Sequence, residues 1–174
     1  MGDPFDAHGA HAARAPLTDR WEGELVVFLI GMRINRWWRP DLWVPVLGSM
    51  IRMLRELRSD PARGLLGYST AGWGNPLVIL QYWSSETALH EFATAATGTH
   101  LNAWQEYDRR VRATDAVGVW HETYLVAPGA HESVYVNMPP FGLAAAVGAR
   151  PASGRLRRAR GRMTSRGAEA ARVT

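Results

Sequence analysis

The sequence predicts a single α+β domain, and three observations support this. One strand near the N-terminus is apolar on both of its alternating faces, an amphipathic helix follows it, and a β-hairpin and a second helix come next. The chain has 174 residues, of which 47% are hydrophobic. It can therefore bury the core of one domain but is short for two.

The first strand and the first helix have the clearest patterns. From Glu24 to Asn35 the sequence ELVVFLIGMRIN is apolar at nearly every position, which is typical of a strand buried on both sides. A helix is predicted from Pro40–Asp41 to about Ser59, because apolar residues recur there every three or four positions while most Arg residues lie elsewhere.

A hairpin and two helical stretches follow. Strands are predicted at 64–72 and 76–83, joined by the turn sequence GWGN. Ser84 is expected to cap a helix that continues through Ala96, and a further helical stretch is expected at about 100–112.

Two more strands are predicted, at 117–126 and 132–138. The order β-α-β-β-α(α)-β-β matches, up to the fourth strand, the ferredoxin-like split βαβ pattern. Helices in that fold cover one face of the sheet, yet the first strand is apolar on both faces, so the second face must also be covered. We expect a second copy of the chain there, which makes the protein a homodimer.

Both ends of the chain are expected to be disordered, which places the domain at 23–147. Residues 1–22 mix Gly, Pro, His and Asp, and residues 148–174 form an Arg-rich tail without apolar periodicity. Residues 150–174 alone hold eight Arg and one Glu, a charge of +7. Nucleic acid is an unlikely partner, because no aromatic residues are interleaved with these Arg residues for base stacking.

Composition excludes several kinds of chemistry. The chain has neither Cys nor Lys, which rules out disulfides, thiolate metal sites and Schiff-base catalysis. The longest apolar run is Leu25–Met32, far short of the roughly 20 residues that a membrane-spanning helix needs. The N-terminal sequence does not resemble a secretion signal, so a cytoplasmic location is expected.

The sequence GVWHETY holds the main catalytic candidates. Strand alternation places His121 on one face and Glu122 and Tyr124 on the other, and the pattern does not show which face lines a pocket. His121 could act as a general base if its face lines the pocket. If the other face does, Glu122 could act as the base, with Tyr124 beside it. A buried polar group that braces the dimer explains the same pattern.

Other candidates lie at the ends of predicted elements. His100 follows Gly98 near a helix N-terminus, where a neutral imidazole is favoured, so it is a candidate metal ligand or base as well as a simple helix-start residue. Arg33 could receive a carboxylate at the end of the first strand. The proposed substrate-binding residues are Asn35, Trp104, Tyr135 and Asn137.

The segments VVFLIGMRIN, QYWSS, THLNAW and GVWHETYLV, with YVNMPPFGL after them, resemble the dimeric α/β-barrel superfamily. Within it they look most like the DUF4188 group, often labelled "monooxygenase family protein". The resemblance covers about residues 21–145 and implies the barrel and the dimer. Haem-degrading relatives in this superfamily place a Trp at the end of the third strand and an iron-binding His after it, which resembles the spacing of Trp83 and His100.

We therefore expect a small monooxygenase-like enzyme that binds a hydrophobic, aromatic substrate in a barrel pocket. Without a cofactor, a base would remove a proton from a phenol or enol, and the anion would reduce dioxygen. One alternative is a haem protein, haem-degrading or a lyase of the aldoxime dehydratase kind, with His100 as axial ligand. Another is a binding module without catalysis.

Overall fold

The computed structural model describes residues 15–95, 105, 107–109 and 111–163, with 72 and 73 described as backbone only. The chain divides into two units. The sheet unit is Leu25–Leu125, and the terminal unit combines Met1–Glu24 with Val126–Thr174. Within the described part of the chain, no helix is both long and apolar enough to cross a membrane.

The described helices and strands follow one another in this order: β1 (Leu17–Asp19), β2 (Leu25–Ile34), α1 (Pro40–Ser59), β3 (Leu65–Trp73), β4 (Leu77–Trp83), α2 (Glu86–Thr94), β5 (Val117–Val126), α3 (Leu143–Val147) and β6 (Ala149–Pro151).

The sheet unit contains a four-stranded sheet in the order β3-β4-β2-β5. Strand β4 pairs antiparallel with β2 on one side and with β3 on the other. Strand β4 therefore lies between the two strands that α1 connects, which is the split βαβ arrangement. The α+β fold class and its ferredoxin-like order, both predicted from the sequence, are confirmed.

The core of the sheet unit lies between the sheet and its helices. Alternation in β2 directs Val26 and Met32 to this face, where they belong to two buried clusters that also contain Leu54 and Leu57 of α1 and Phe92 of α2. Ser85 begins α2, since its hydroxyl accepts a hydrogen bond from the Ala88 backbone N–H at 3.1 Å. The predicted cap, Ser84, is one residue too early.

The other face of the sheet is also apolar, and most of its side chains are only partly buried. It carries Val27, Leu29, Val78, Leu80, Tyr82 and Trp120. At its centre the Trp120 indole lies over Gly31, so closely that a Cβ built on this glycine would be 2.5 Å from Nε1. Gly31 therefore provides the space that the indole occupies.

The terminal unit joins the two ends of the chain. Strands β1 and β6 pair antiparallel, and Leu17 also forms an isolated bridge with Tyr135. Asp19 is fully buried, and its carboxylate accepts hydrogen bonds from the Ser133 hydroxyl at 2.7 Å and from the Trp21 backbone N–H at 2.9 Å. The Nε2 atom of His131 is 3.2 Å from the same carboxylate.

Several of these contacts lie in segments that the sequence predicts to be disordered. Residues 17–19 and 149–151, expected to be disordered, form a strand pair, and the Arg162 guanidinium is buried and donates to Glu132 at 2.6 Å. Hydrogen bonds and ion pairs, among them Arg150 with Glu22 and Arg162 with Glu132, order these segments, and neither produces the apolar periodicity on which the prediction depended. The disorder predicted for 1–14 and 164–174 lies outside the described residues.

The strand predicted at 132–138 is wrong. Tyr135 makes a single bridge there, and Asn137 has a φ of 55°, in the left-handed region that interrupts an extended chain. The third helical stretch, at 100–112, lies mostly outside the described residues. Of the described residues in this range, 105 and 107–109 are α-helical.

Candidate active site

A cavity of about 350 Å³ lies between the sheet and helices α1 and α2. Its walls are mainly apolar. Helix α1 contributes Met50, Met53, Leu54 and Leu57, and helix α2 contributes Leu89, Phe92 and Ala93. This volume lies within the range of small-molecule binding sites, roughly 300–1,000 Å³.

The sheet forms the floor of the cavity. Strand β2 supplies Phe28 and Ile30, strand β4 supplies Gln81, and strand β5 supplies His121 and Thr123. The His121 side chain is exposed, and its ring centroid is 5.6 Å from that of Phe28, with 36° between the ring planes. The alternation in β5 is thus resolved: the face with His121 lines the cavity.

Glu122 and Tyr124 lie on the opposite face of β5 and do not line this cavity. They form a pair, because the Tyr124 hydroxyl donates to Glu122 Oε2 at 2.6 Å. This hydrogen bond, reinforced by the negative charge of the carboxylate, raises the pKa of the Tyr124 phenol. Glu122 and Tyr124, the alternative to His121 among the predicted catalytic residues, therefore lie on the face of the sheet away from the cavity.

Trp83 is fully buried and does not line the cavity. Its ring packs against Phe92, at 5.6 Å between centroids, and its indole N–H donates to Gln81 Oε1 at 3.0 Å. Trp83 was predicted to contact a cofactor. In the structure it contacts the side chain of Gln81, which does line the cavity.

Arg33 and Asn35 lie at the end of β2, outside the lining of the cavity. The Asn35 amide donates to the Asp115 carbonyl at 3.0 Å and so ties this end of β2 to the start of β5. Tyr135 and Asn137 belong to the terminal unit, where the Tyr135 hydroxyl accepts a hydrogen bond from the Ala144 backbone N–H at 3.2 Å. None of these four is among the residues that line this cavity.

His100 and Trp104 lie outside the described residues, so haem ligation by His100 stays a prediction from the sequence. Among the residues that the structure does describe, no three His, Asp or Glu side chains are grouped to hold a metal ion.

Four polar residues that line the cavity were missed by the sequence analysis: Gln81, Glu86, His90 and Thr123. Glu86 and His90 are exposed and lie one turn apart on α2, whereas Gln81 is buried on the floor. Strand alternation could have indicated Gln81, since it stands between Ile79 and Trp83 on the buried side of β4. A polar residue within such a buried series is a candidate functional residue.

Comparison with known proteins adds the family. A family model described as "Monooxygenase af470-like" matches residues 25–143. The chain belongs to the monooxygenase af470-like family. The relationship to monooxygenase-type proteins that the sequence motifs predicted is thereby confirmed. The matched residues include strands β2 to β5 and helices α1 and α2.

Two similar proteins have low sequence identity to this chain. Monooxygenase af470 of Aspergillus fumigatus is 26% identical over 130 residues, which cover 69% of this chain and 45% of that protein. A crystal structure of an aldoxime dehydratase in complex with butyraldoxime aligns with 80% of this chain and 41% of its own, at 16% identity and a TM-score of 0.60. That likeness supports the fold.

A weaker structural match is SnoaB, a cofactor-independent oxygenase from Streptomyces nogalater, at 11% identity and a TM-score of 0.40. It covers 59% of this chain and 92% of SnoaB. This af470-like chain spans less than half the length of both the Aspergillus protein and the aldoxime dehydratase.

Proposed function

We propose that this protein is a monooxygenase-type enzyme that binds a hydrophobic, aromatic small molecule in the cavity of the sheet unit. One observation carries the proposal: an imidazole, His121, lies on the floor of a cavity whose walls are mainly apolar. Membership in the monooxygenase af470-like family supports this chemistry. Of the predicted catalytic residues, His121 is the one that lines the cavity.

The proposed reaction begins with a proton transfer. His121 removes a proton from a phenol or from an acidic methylene next to a carbonyl, and the substrate anion passes one electron to dioxygen. The two radicals combine to a peroxide, which loses water and leaves a new carbonyl oxygen on the carbon. A methylene is thus oxidised by four electrons, and one dioxygen yields the new carbonyl oxygen and one water.

The apolar walls support this chemistry in a second way. Met50, Leu54 and Phe92 keep water away from the bound anion. Electrostatic interactions within such a site are stronger than in water, and competing proton transfer from solvent is reduced. The apolar side chains of the walls are also suited to contact a flat apolar ring.

The test is a pair of variants on one strand. A thermal-shift screen of phenols, quinones, aldoximes and haem finds a ligand, and oxygen uptake with that ligand measures turnover. We expect His121→Ala to lower turnover by roughly two to four orders of magnitude, the usual contribution of a general base. Glu122→Gln, the matched control on the opposite face, leaves it unchanged.

Two results would contradict the proposal. The first is a ligand that binds without any oxygen uptake, which would make the protein a binding module. The second is an enzyme that keeps its turnover after His121→Ala. A Soret band after haem addition would instead support the haem hypothesis built on His100.

We also propose that the helix-free face of the sheet binds a second copy of the chain. This face carries partly buried apolar side chains, with Tyr124 51% exposed at its margin. Closed homodimers are the commonest assembly of soluble proteins. Light scattering at micromolar concentration should give a dimer, and a folded monomer would refute this.

A further inference from the structure

Gln81 is the most buried polar residue of the cavity. It is 7% exposed, on the helix-facing side of β4, and it forms part of the floor. Its side-chain oxygen already has a partner, since the indole N–H of Trp83 donates to it at 3.0 Å.

Trp83 fixes the orientation of the Gln81 amide. An indole nitrogen is only a donor, so the atom facing it must be the amide oxygen and not the amide nitrogen. Trp83 is itself fully buried and held against Phe92, so it cannot turn away easily. The Nε2 group of Gln81, with two N–H donors, is consequently the end that is available to the cavity.

Across the residues that the structure describes, the hydrogen bond from Trp83 is the one that the Gln81 side chain makes. Within the same part of the chain, the Gln81 amide nitrogen is not one of the side-chain atoms that are fully buried without a hydrogen-bond partner, so it keeps access to open space. A ligand oxygen in the cavity can therefore accept hydrogen bonds from it.

The position of Gln81 relative to His121 defines where that oxygen lies. Gln81 is opposite Phe28 in the β2–β4 register, and the Phe28 ring is 5.6 Å from the His121 ring. Strand β5 borders β2 on its other side. A flat ring that stacks on Phe28 therefore has the amide donor towards one edge and the imidazole towards the other.

We infer that Gln81 is a substrate-binding residue whose amide N–H groups hold a carbonyl or phenol oxygen of the ligand, with Trp83 as its positioning residue. The cavity then selects flat apolar molecules that carry such an oxygen. This inference rests on the proposed function in so far as the cavity is the ligand site. In the reaction, the same N–H groups stabilise the charge that develops on that oxygen when His121 takes the proton.

Two probes test the inference without turnover. 1-Tetralone and tetralin share a bicyclic skeleton and differ in one carbonyl oxygen, which only accepts hydrogen bonds. Their dissociation constants are measured by NMR titration of the full-length protein. The readout is the ratio of the tetralin constant to the tetralone constant, because this ratio cancels general effects of a variant on the cavity.

The main variant is the double change Gln81→Met with Trp83→Phe. It removes donor and acceptor together, so no buried polar group is left alone, a change that proteins tolerate well. We expect the ratio to fall roughly tenfold, the worth of one hydrogen bond. Tyr124→Phe, on the opposite face of the sheet, is the matched control and should leave the ratio at its wild-type value.

A second variant keeps the test decisive if the double variant does not fold. Trp83→Phe alone leaves the Gln81 amide free to rotate and should lower the ratio by a smaller factor.

An unchanged ratio in a folded variant of either kind overturns the inference. If neither probe binds the wild-type protein, the cavity is not a ligand site, and both this inference and the proposed function fail. A ratio that falls in a protein without oxygen uptake supports the inference and refutes only the catalysis.

Discussion

Adding one methyl group should have opposite effects at two glycines of the sheet unit. A Cβ at Gly31 would be 2.5 Å from Trp120 Nε1, 2.7 Å from Trp120 Cε2 and 2.9 Å from the Leu77 carbonyl oxygen. Normal contacts between such atoms are roughly 3.5–4.0 Å, so the indole must move by about 1 Å, and the backbone carbonyl cannot move freely. Such overpacking costs about 1–3 kcal/mol, so Gly31→Ala should lower the free energy of unfolding by that amount.

Gly48 gives the opposite expectation. It lies within α1, and a Cβ there would meet nothing within 4 Å. Glycine inside a helix is less stable than alanine by roughly 0.5–1 kcal/mol, because its unfolded state has more conformational freedom. Gly48→Ala should therefore raise the free energy of unfolding by about that amount.

Urea denaturation followed by circular dichroism measures both variants. A third variant combines Gly31→Ala with Trp120→Leu, which removes the indole ring. Its free energy of unfolding should exceed, by about 0.5–3 kcal/mol, the value expected from adding the separate effects of Gly31→Ala and Trp120→Leu. The reasoning is refuted if Gly31→Ala is as stable as the wild type, or if the double change is simply additive. Ligand binding should survive in Gly31→Ala, because the cavity lies on the other face of the sheet.

Three further predictions concern residues outside the cavity. Asp19→Ala should destabilise the terminal unit by about 1–3 kcal/mol, since it leaves buried donors without an acceptor, and a thermal melt that matches the wild type would contradict this. Ending the chain after Gly148 should lower the melting temperature by several degrees, because it deletes strand β6, and an unchanged melt would show that the β1–β6 pair adds no stability. The raised pKa of Tyr124 means that the folded state holds this proton more tightly, so the stabilisation from the pair is complete below the ordinary tyrosine pKa and is lost as pH rises through the raised value. In Glu122→Gln, phenolate absorbance should therefore appear at lower pH than in the wild type, and an identical titration would mean that the pair does not exist in solution.

The sheet unit could be predicted from the sequence because each of its elements is long and strongly patterned. The nearly continuous apolar run of β2 and the helical spacing of α1 leave one interpretation each, and the split βαβ order follows from them. The terminal unit could not be predicted in the same way. Strands β1 and β6 are three residues long, and hydrogen bonds to Asp19, a residue that looks like an ordinary surface acid, order this region.

Of the two polar residues on which the proposals depend, His121 was predicted from the sequence and Gln81 was not. His121 was identified because a polar residue in an apolar strand is unusual, but alternation alone gives two equal faces. The position of the helices decides between them, and that is a tertiary property. The sequence shows Gln81 only as a polar residue in a buried series, and its contact with Trp83, the next residue on the same face of β4, is visible only in three dimensions.

The pairing of β1 with β6 has a consequence for the order of folding. The Arg20 side chain and the Ala149 carbonyl that it contacts are 129 positions apart in the chain. Closing so long a loop costs entropy that grows with the logarithm of its length, and contacts between distant residues form slowly. Once the sheet has formed, however, β2 and β5 are neighbours, and the free chain that separates β1 from β6 shrinks to residues 20–24 and 127–148. Folding therefore proceeds most readily when residues 25–125 form first and then bring the two ends of the chain together.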